Sequence, residues 1–325
     1  MTFAGPRVTL KLHRFEIGAA VLVATAVAVW GAFIELRLRG LAVDPSCISN
    51  WLNTNAGDRT ACAEPMRAWG SIVASEGSRL FEAMRVLPLA VGLLGGVPIV
   101  AREIEAGTSA TAWSLNPSRV RWLANQIGPI ALVLAVCLSA TAVAAALVGG
   151  HRLEWGESGA ALDVGLSGPP ALARGFGAFG LGLLAGVLLG RSLPGLILGA
   201  ALCFALTVGV GSVRDRWLAG QPSAAITSEA SGITTGFGWR APDGTELSLD
   251  AGFALVPESV SATDGIQRGD SAAWLEEHGY KEMQVGVPYS VVGGWAIYDA
   301  GFFTAVGLAG IVGTAFFVNR RRPTS

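Results

Sequence analysis

Charge is what this sequence has least of. Only 14% of its 325 residues are Asp, Glu, Lys or Arg, whereas 51% are hydrophobic, and the mean hydropathy is +0.51. A soluble domain carries about 25% charged residues. So few charges cannot cover a globular surface, and lipid must be much of the solvent. Lysine is nearly missing, with Lys11 and Lys281 alone. The net charge of −1 gives no support for nucleic-acid binding. Histidine is scarce too: His13, His151 and His278 fall on both sides of the membrane in the reading below and cannot share a metal. No His-Glu-x-x-His and no Gly-x-Ser-x-Gly occurs, which weakens a tethered or intramembrane hydrolase. No Gly-x-x-x-x-Gly-Lys-Ser/Thr occurs, so there is no recognisable cradle for ATP phosphates. Neither a catalytic residue nor a metal site is expected in this chain.

Long apolar runs are what the sequence does contain. A spanning helix needs about 20 mostly apolar residues. Six segments qualify, at 15–36, 81–101, 127–149, 171–190, 193–213 and 289–318. The first resembles a signal peptide, but its apolar core is too long and further spans follow, so it reads as a retained span. The expected fold is an all-α polytopic membrane protein with six transmembrane helices and a small extracytoplasmic α+β cap. Basic residues in short flanks set its direction. Arg7, Lys11 and Arg14 precede the first span; Arg102, Arg119 and Arg121 follow the second; Arg191 follows the fourth; Arg320, Arg321 and Arg322 end the chain. Segments 1–14, 102–126 and 319–325 are thus expected in the cytoplasm of a bacterial cell, its plasma membrane crossed six times. Segments 37–80, 150–170 and 214–288 are expected outside.

The four cysteines divide the same way. Cys137 and Cys203 lie in apolar runs and read as small core residues. Cys47 and Cys62 lie in a polar loop. Bonded, they would close about 16 residues, worth about 3 kcal/mol in the chain-entropy model. Such a bond requires an oxidising compartment, in agreement with the arginine pattern. Within 214–288, the run ITTGFGWR, a Pro242-Asp243-Gly244 turn and TELSL predict a hairpin over 233–249. A short helix is expected over 270–278, with Asp270 as N-cap and Gly279 as stop.

Polar residues at the spans invite roles. Asp299 lies well inside the sixth, and intramembrane acids face a cavity or a partner. It is either a contact on the substrate path, for a cation or a proton, or a hydrogen bond to a neighbouring helix. Arg174 is expected to snorkel to the interface from the outer end of the fourth span. Arg85 belongs near the outer end of the second, and Glu35, near the outer end of the first, is expected to reach the surface. Gly182, Gly186 and Gly190 share one face of the fourth span, which permits close helix packing. Trp30, Trp122, Trp217 and Trp295 sit near span ends as interfacial anchors.

The most informative stretch is 98–123, PIVAREIEAGTSATAWSLNPSRVRWL. Gly107 can interrupt the helix, Thr108 or Ser109 can cap a short new one, and Asn116 with Pro117 can restart the next. On spacing alone this is also an ordinary connecting loop with positive-inside arginines. Its wording resembles the cytoplasmic loop of membrane subunits in the type-2 ATP-binding-cassette transporter family. The matching residues are Arg102, Glu103, Glu105, Gly107 and Thr108, then Trp113, Ser118, Arg119, Arg121 and Trp122. Cys47 and Cys62, with Trp69 after them, resemble the first outer loop of actinobacterial members. LEEHGYKEMQVGVPYS resembles the approach to their sixth helix, although Tyr289-Ser290 and Gly293-Gly294-Trp295 depart from the family pattern.

The resemblance implies a permease subunit of an exporter, whose loop is a coupling helix docking on a cytosolic ATPase. Arg102, Glu103, Glu105, Gly107, Thr108 and Trp113 would make that contact. Two ATPase copies would hold ATP and Mg, since none is expected in this chain. Six helices being half of the usual complement, a second membrane subunit is implied, as homodimer or heterodimer. The alternative is a polytopic sensor or immunity-type protein that binds a ligand through its cap.

Overall fold

Each apolar run becomes a helix, because a chain in hydrocarbon must satisfy its backbone internally. The computed structural model describes residues 14–44, 46–47, 60–108, 118–154, 162–221, 224–226, 232–257 and 267–320. Helix α1 covers Arg14–Gly40. Helix α2, Thr60–Ile72, runs through a π-helical stretch, Val73–Gly77, into α3, Ser78–Glu105. Helix α4 is Arg119–Glu154 and a 3-10 turn follows at Leu162–Leu166. Then come α5, Gly168–Leu189, and α6, Ser192–Ala219. A small cap comprises β1 Ala224–Ile226, β2 Gly232–Arg240, β3 Glu246–Ser248, α7 Leu249–Phe253, α8 Gln267–Glu277 and β4 Lys281–Pro288. The last helix, α9, is Tyr289–Arg320. Among the described residues, six helices are long and apolar enough to cross a membrane: α1, the joined α2–α3, α4, α5, α6 and α9.

Helix α5 is the hub of the bundle. Pro169 and Pro170 start it and Gly190, at φ 62°, ends it in the left-handed conformation. It packs against α3 on one face and α9 on another, and α4 and α6 flank it. The packing is backbone to backbone. A Cβ at Gly180 would collide with the carbonyl oxygen of Gly307 on α9, and one at Gly186 would sit 2.6 Å from that of Val97 on α3. Of the glycines expected to share a face, Gly182 and Gly186 therefore pack within the chain, both against Val97.

Helix α2 lies inside the segment expected as a loop. Its signal was there: Met66, Trp69, Ile72 and Val73 recur at helical spacing and are all buried. Cys47 and Cys62 are disulfide-bonded, with Cα atoms 5.5 Å apart.

The cap contains the expected hairpin. Strands β2 and β3 pair antiparallel, Gly238 opposite Ser248 and Arg240 opposite Glu246. Asp243 Oδ1 accepts the Thr245 N–H at 2.9 Å and Gly244 takes φ +89°. The sheet is larger than the hairpin, with order β1-β4-β2-β3. Trp239, Val256 and Leu275 form its core, joined by Leu247, Phe253 and Tyr280. One expectation needs correcting. The helix expected from Asp270 starts at Gln267, so Asp270 lies inside it and is not its N-cap. Gly279, at φ +84°, does end it.

Candidate functional site

The spans alternate in direction, so the ends of the bundle are distinct. One end carries the cap, the disulfide and the C-terminus of α1; the other carries the loop between α3 and α4.

At the loop end, Arg102 ion-pairs with Glu16 at the start of α1. Glu103 Oε2 accepts the Thr108 hydroxyl at 2.6 Å, folding the loop's first turn over Gly107, which has φ +69°. Glu105 reaches the next connection. Its Oε2 accepts both the backbone N–H and the hydroxyl of Ser192, at 3.1 and 3.0 Å, at the N-terminus of α6. An acid there complements the helix dipole. The Ser192 N–H, then its hydroxyl, hold the Glu105 carboxyl below its usual range. This tie is therefore intact at neutral pH and is lost only as pH falls through the acid carboxylate range. Beyond the loop, the Ser118 hydroxyl caps α4 by accepting the Arg121 N–H at 3.1 Å. Arg119 donates to the carbonyls of Val318 and Asn319 at the end of α9, at 3.1 and 3.2 Å. Trp113, Ser109, Asn116 and Pro117 lie outside the described residues. Five of the six residues expected to contact a partner thus stand together at this end. Arg102, Glu103, Glu105 and Thr108 also bond within the chain.

At the cap end, charged residues that look unrelated in sequence form one layer. Asp163, in the 3-10 turn, is buried between Arg152 on α4 at 2.9 Å and Arg85 on α3 at 3.0 Å. The Arg152 guanidinium stacks over Phe81 at 4.5 Å, and its stem packs on Gly77 of the π-helical stretch. Glu35 was expected to reach the surface. It is 7% exposed instead, because His151 Nε2 at 3.0 Å and Arg39 Nε at 2.6 Å meet its two oxygens. Trp69 stands edge-on to His151 at 5.9 Å. Residues 116 positions apart give no sequence signal of such a pair.

Asp299 and Arg174 form a second buried pair, between α9 and α5. Arg174 Nε donates to Asp299 Oδ2 at 3.0 Å, and the two side chains are 12% and 0% exposed. The snorkelling expected of Arg174 is corrected by this geometry: the guanidinium turns inward to α9, where a buried acid outcompetes the interface. Gly165 lies directly over both side chains, and a Cβ there would sit 2.9 Å from the guanidinium. Among the described residues, no group of His, Cys, Asp and Glu could hold a metal ion.

A family model described as ABC-2 membrane transporter related matches residues 18–214. No curated protein and no solved structure matches the chain. The matched stretch is more than half of the sequence and runs from α1 to α6, ending before the cap and α9. It contains the loop and its partners Arg102, Glu103, Glu105 and Ser192. With six spans and a match of this extent, the chain belongs to the ABC-2 membrane transporter related family, as a multi-pass transport permease.

Proposed function

We propose that this permease is the membrane subunit of an ATP-driven exporter in a bacterial plasma membrane, coupled to a separate cytosolic ABC ATPase through residues 102–126. The supporting observation is how that loop is anchored. Its first turn is tied to α1 through Arg102–Glu16 and to α6 through Glu105–Ser192, and its far side is tied to α9 through Arg119. A push on the loop would therefore reach five spanning helices directly, with α3 and α4 at its two ends. ATP drives such a switch only if it binds one arrangement of the subunits better than the other. Two ATPase copies, holding ATP and Mg, and a second membrane subunit, identical or related, complete the assembly.

The orientation follows from the arginines, with both termini and the loop in the cytoplasm. The Cys47–Cys62 bond supports it, since disulfides persist in oxidising compartments. Trp113 would be the apolar anchor on the ATPase, with Glu103 supplying charge. Glu105, bonded to Ser192, would mainly transmit movement. For Asp299, the pair with Arg174 favours a tie between helices over a contact on the substrate path.

Replacing Trp113 by alanine removes a hot-spot side chain, worth about 2 kcal/mol or roughly thirtyfold in Kd. Reversing charge at Glu103 and Glu105 together should abolish co-purification with the ATPase. Both variants should still insert in the membrane. Undiminished recovery of the ATPase with the double reversal would remove this loop from the interface.

A further inference from the structure

Between α4, α5 and α9 lies a hollow of about 410 Å³. A second, of about 630 Å³, runs along α9 and shares Pro169, Ala300 and Thr304 with the first. Among the described residues, no charged one lines either, and Ser139 and Thr304 supply the only side-chain hydroxyls. Ser139 turns its hydroxyl back to the Ala135 carbonyl at 2.7 Å. An occupant would thus find almost no polar partner, which excludes charged and strongly hydrogen-bonding molecules.

The shape says where the occupant comes from. Ile297 and Leu308 both line the second hollow and are 75% and 53% exposed, so it opens sideways onto the face that meets the bilayer. From Ile297 to Leu308 the helix rises about 17 Å at 1.5 Å per residue. One leaflet contributes half of a hydrocarbon core of about 30 Å. Pro169 and Pro170 place the upper end at the first turn of α5, on the cap side. The groove therefore spans the depth of one leaflet's hydrocarbon. Alanine and proline contribute lining where larger side chains would fill the space.

We infer that this groove holds an acyl chain of a phospholipid from the cap-side leaflet, in a defined site between α4, α5 and α9. Other exposed faces, such as that of α6 with Phe204 and Val208, also meet lipid but line neither hollow. The inference rests on the six spans and not on the ATPase reading.

The test uses the full chain reconstituted in phosphatidylcholine vesicles containing a fraction of phosphatidylcholine with a diazirine on its acyl chain. After irradiation, peptides carrying Ala135, Ser139, Ala300 and Thr304 are expected to hold more label than the α6 peptide with Phe204 and Val208. Ala300→Trp, and separately Ala135→Trp on another helix, should each lose most of the groove label and leave α6 labelling unchanged. Equal labelling of groove and α6, or label unaffected by both substitutions, would overturn the site. Efficient disulfide cross-linking of two chains through Ala300→Cys would overturn it too, by putting a second copy in the groove.

Discussion

Replacing Asp299 by alanine is expected to destabilise the bundle by about 3–5 kcal/mol, the cost of removing one partner of a buried ion pair. The substitution would leave the Arg174 guanidinium, 12% exposed, facing an apolar site between α5 and α9. Gly165 closes that site from above, which limits rearrangement. Removing both charges should be far milder, because well-packed apolar residues often replace a buried pair at little cost. Asp299→Leu with Arg174→Met is therefore expected to recover most of the assembled protein, read by monodisperse elution in detergent and by thermal unfolding. This pair of variants also separates the two roles of Asp299. A tie between helices predicts a double variant that assembles and transports. A double variant that assembles without transporting would put Asp299 on the substrate path.

The second large effect is at Gly180. Even alanine adds a Cβ that meets the backbone of Gly307, and a helix backbone cannot swing aside as a side chain can. α5 and α9 must separate, and overpacking of this kind costs about 1–3 kcal/mol or more. Gly180→Val is expected to abolish assembly. Gly209→Val on α6 is the control, since a Cβ there meets nothing within 4 Å. Equal yields of the two variants would contradict the close approach of α5 and α9.

These two effects differ in how far the sequence announces them. Six apolar runs announce six spans, because length and hydropathy alone decide what can lie in hydrocarbon. The hairpin is equally plain, because Asp243 and Gly244 meet a local demand of the turn. The rest of the sheet is harder to see. Strand β4 carries Met283, Val285 and Val287 in alternation, but its partners β1 and β2 lie far back in the chain. The ion pairs are harder still. Asp299 is conspicuous as an acid in an apolar run, yet nothing marks Arg174, 125 residues earlier, as its partner. Glu35 with His151 and Asp163 with Arg152 and Arg85 are the same case. Each is a local anomaly whose resolution is tertiary.

The loop lies between these extremes. Its wording points to a coupling role, whereas its anchoring to α1 and α6 through Arg102 and Glu105 is visible only in three dimensions. The family match makes a transport permease of the chain. Which side of the membrane the loop faces decides whether an ATPase can reach it.

That is measured by thiol accessibility in intact cells. A cysteine at Ala106, exposed at the start of the loop, and one at Ala254, exposed in the cap, are labelled with a membrane-impermeant maleimide. The account predicts that Ala254→Cys reacts in intact cells and that Ala106→Cys reacts only after permeabilisation. Labelling of Ala106→Cys from outside would contradict it.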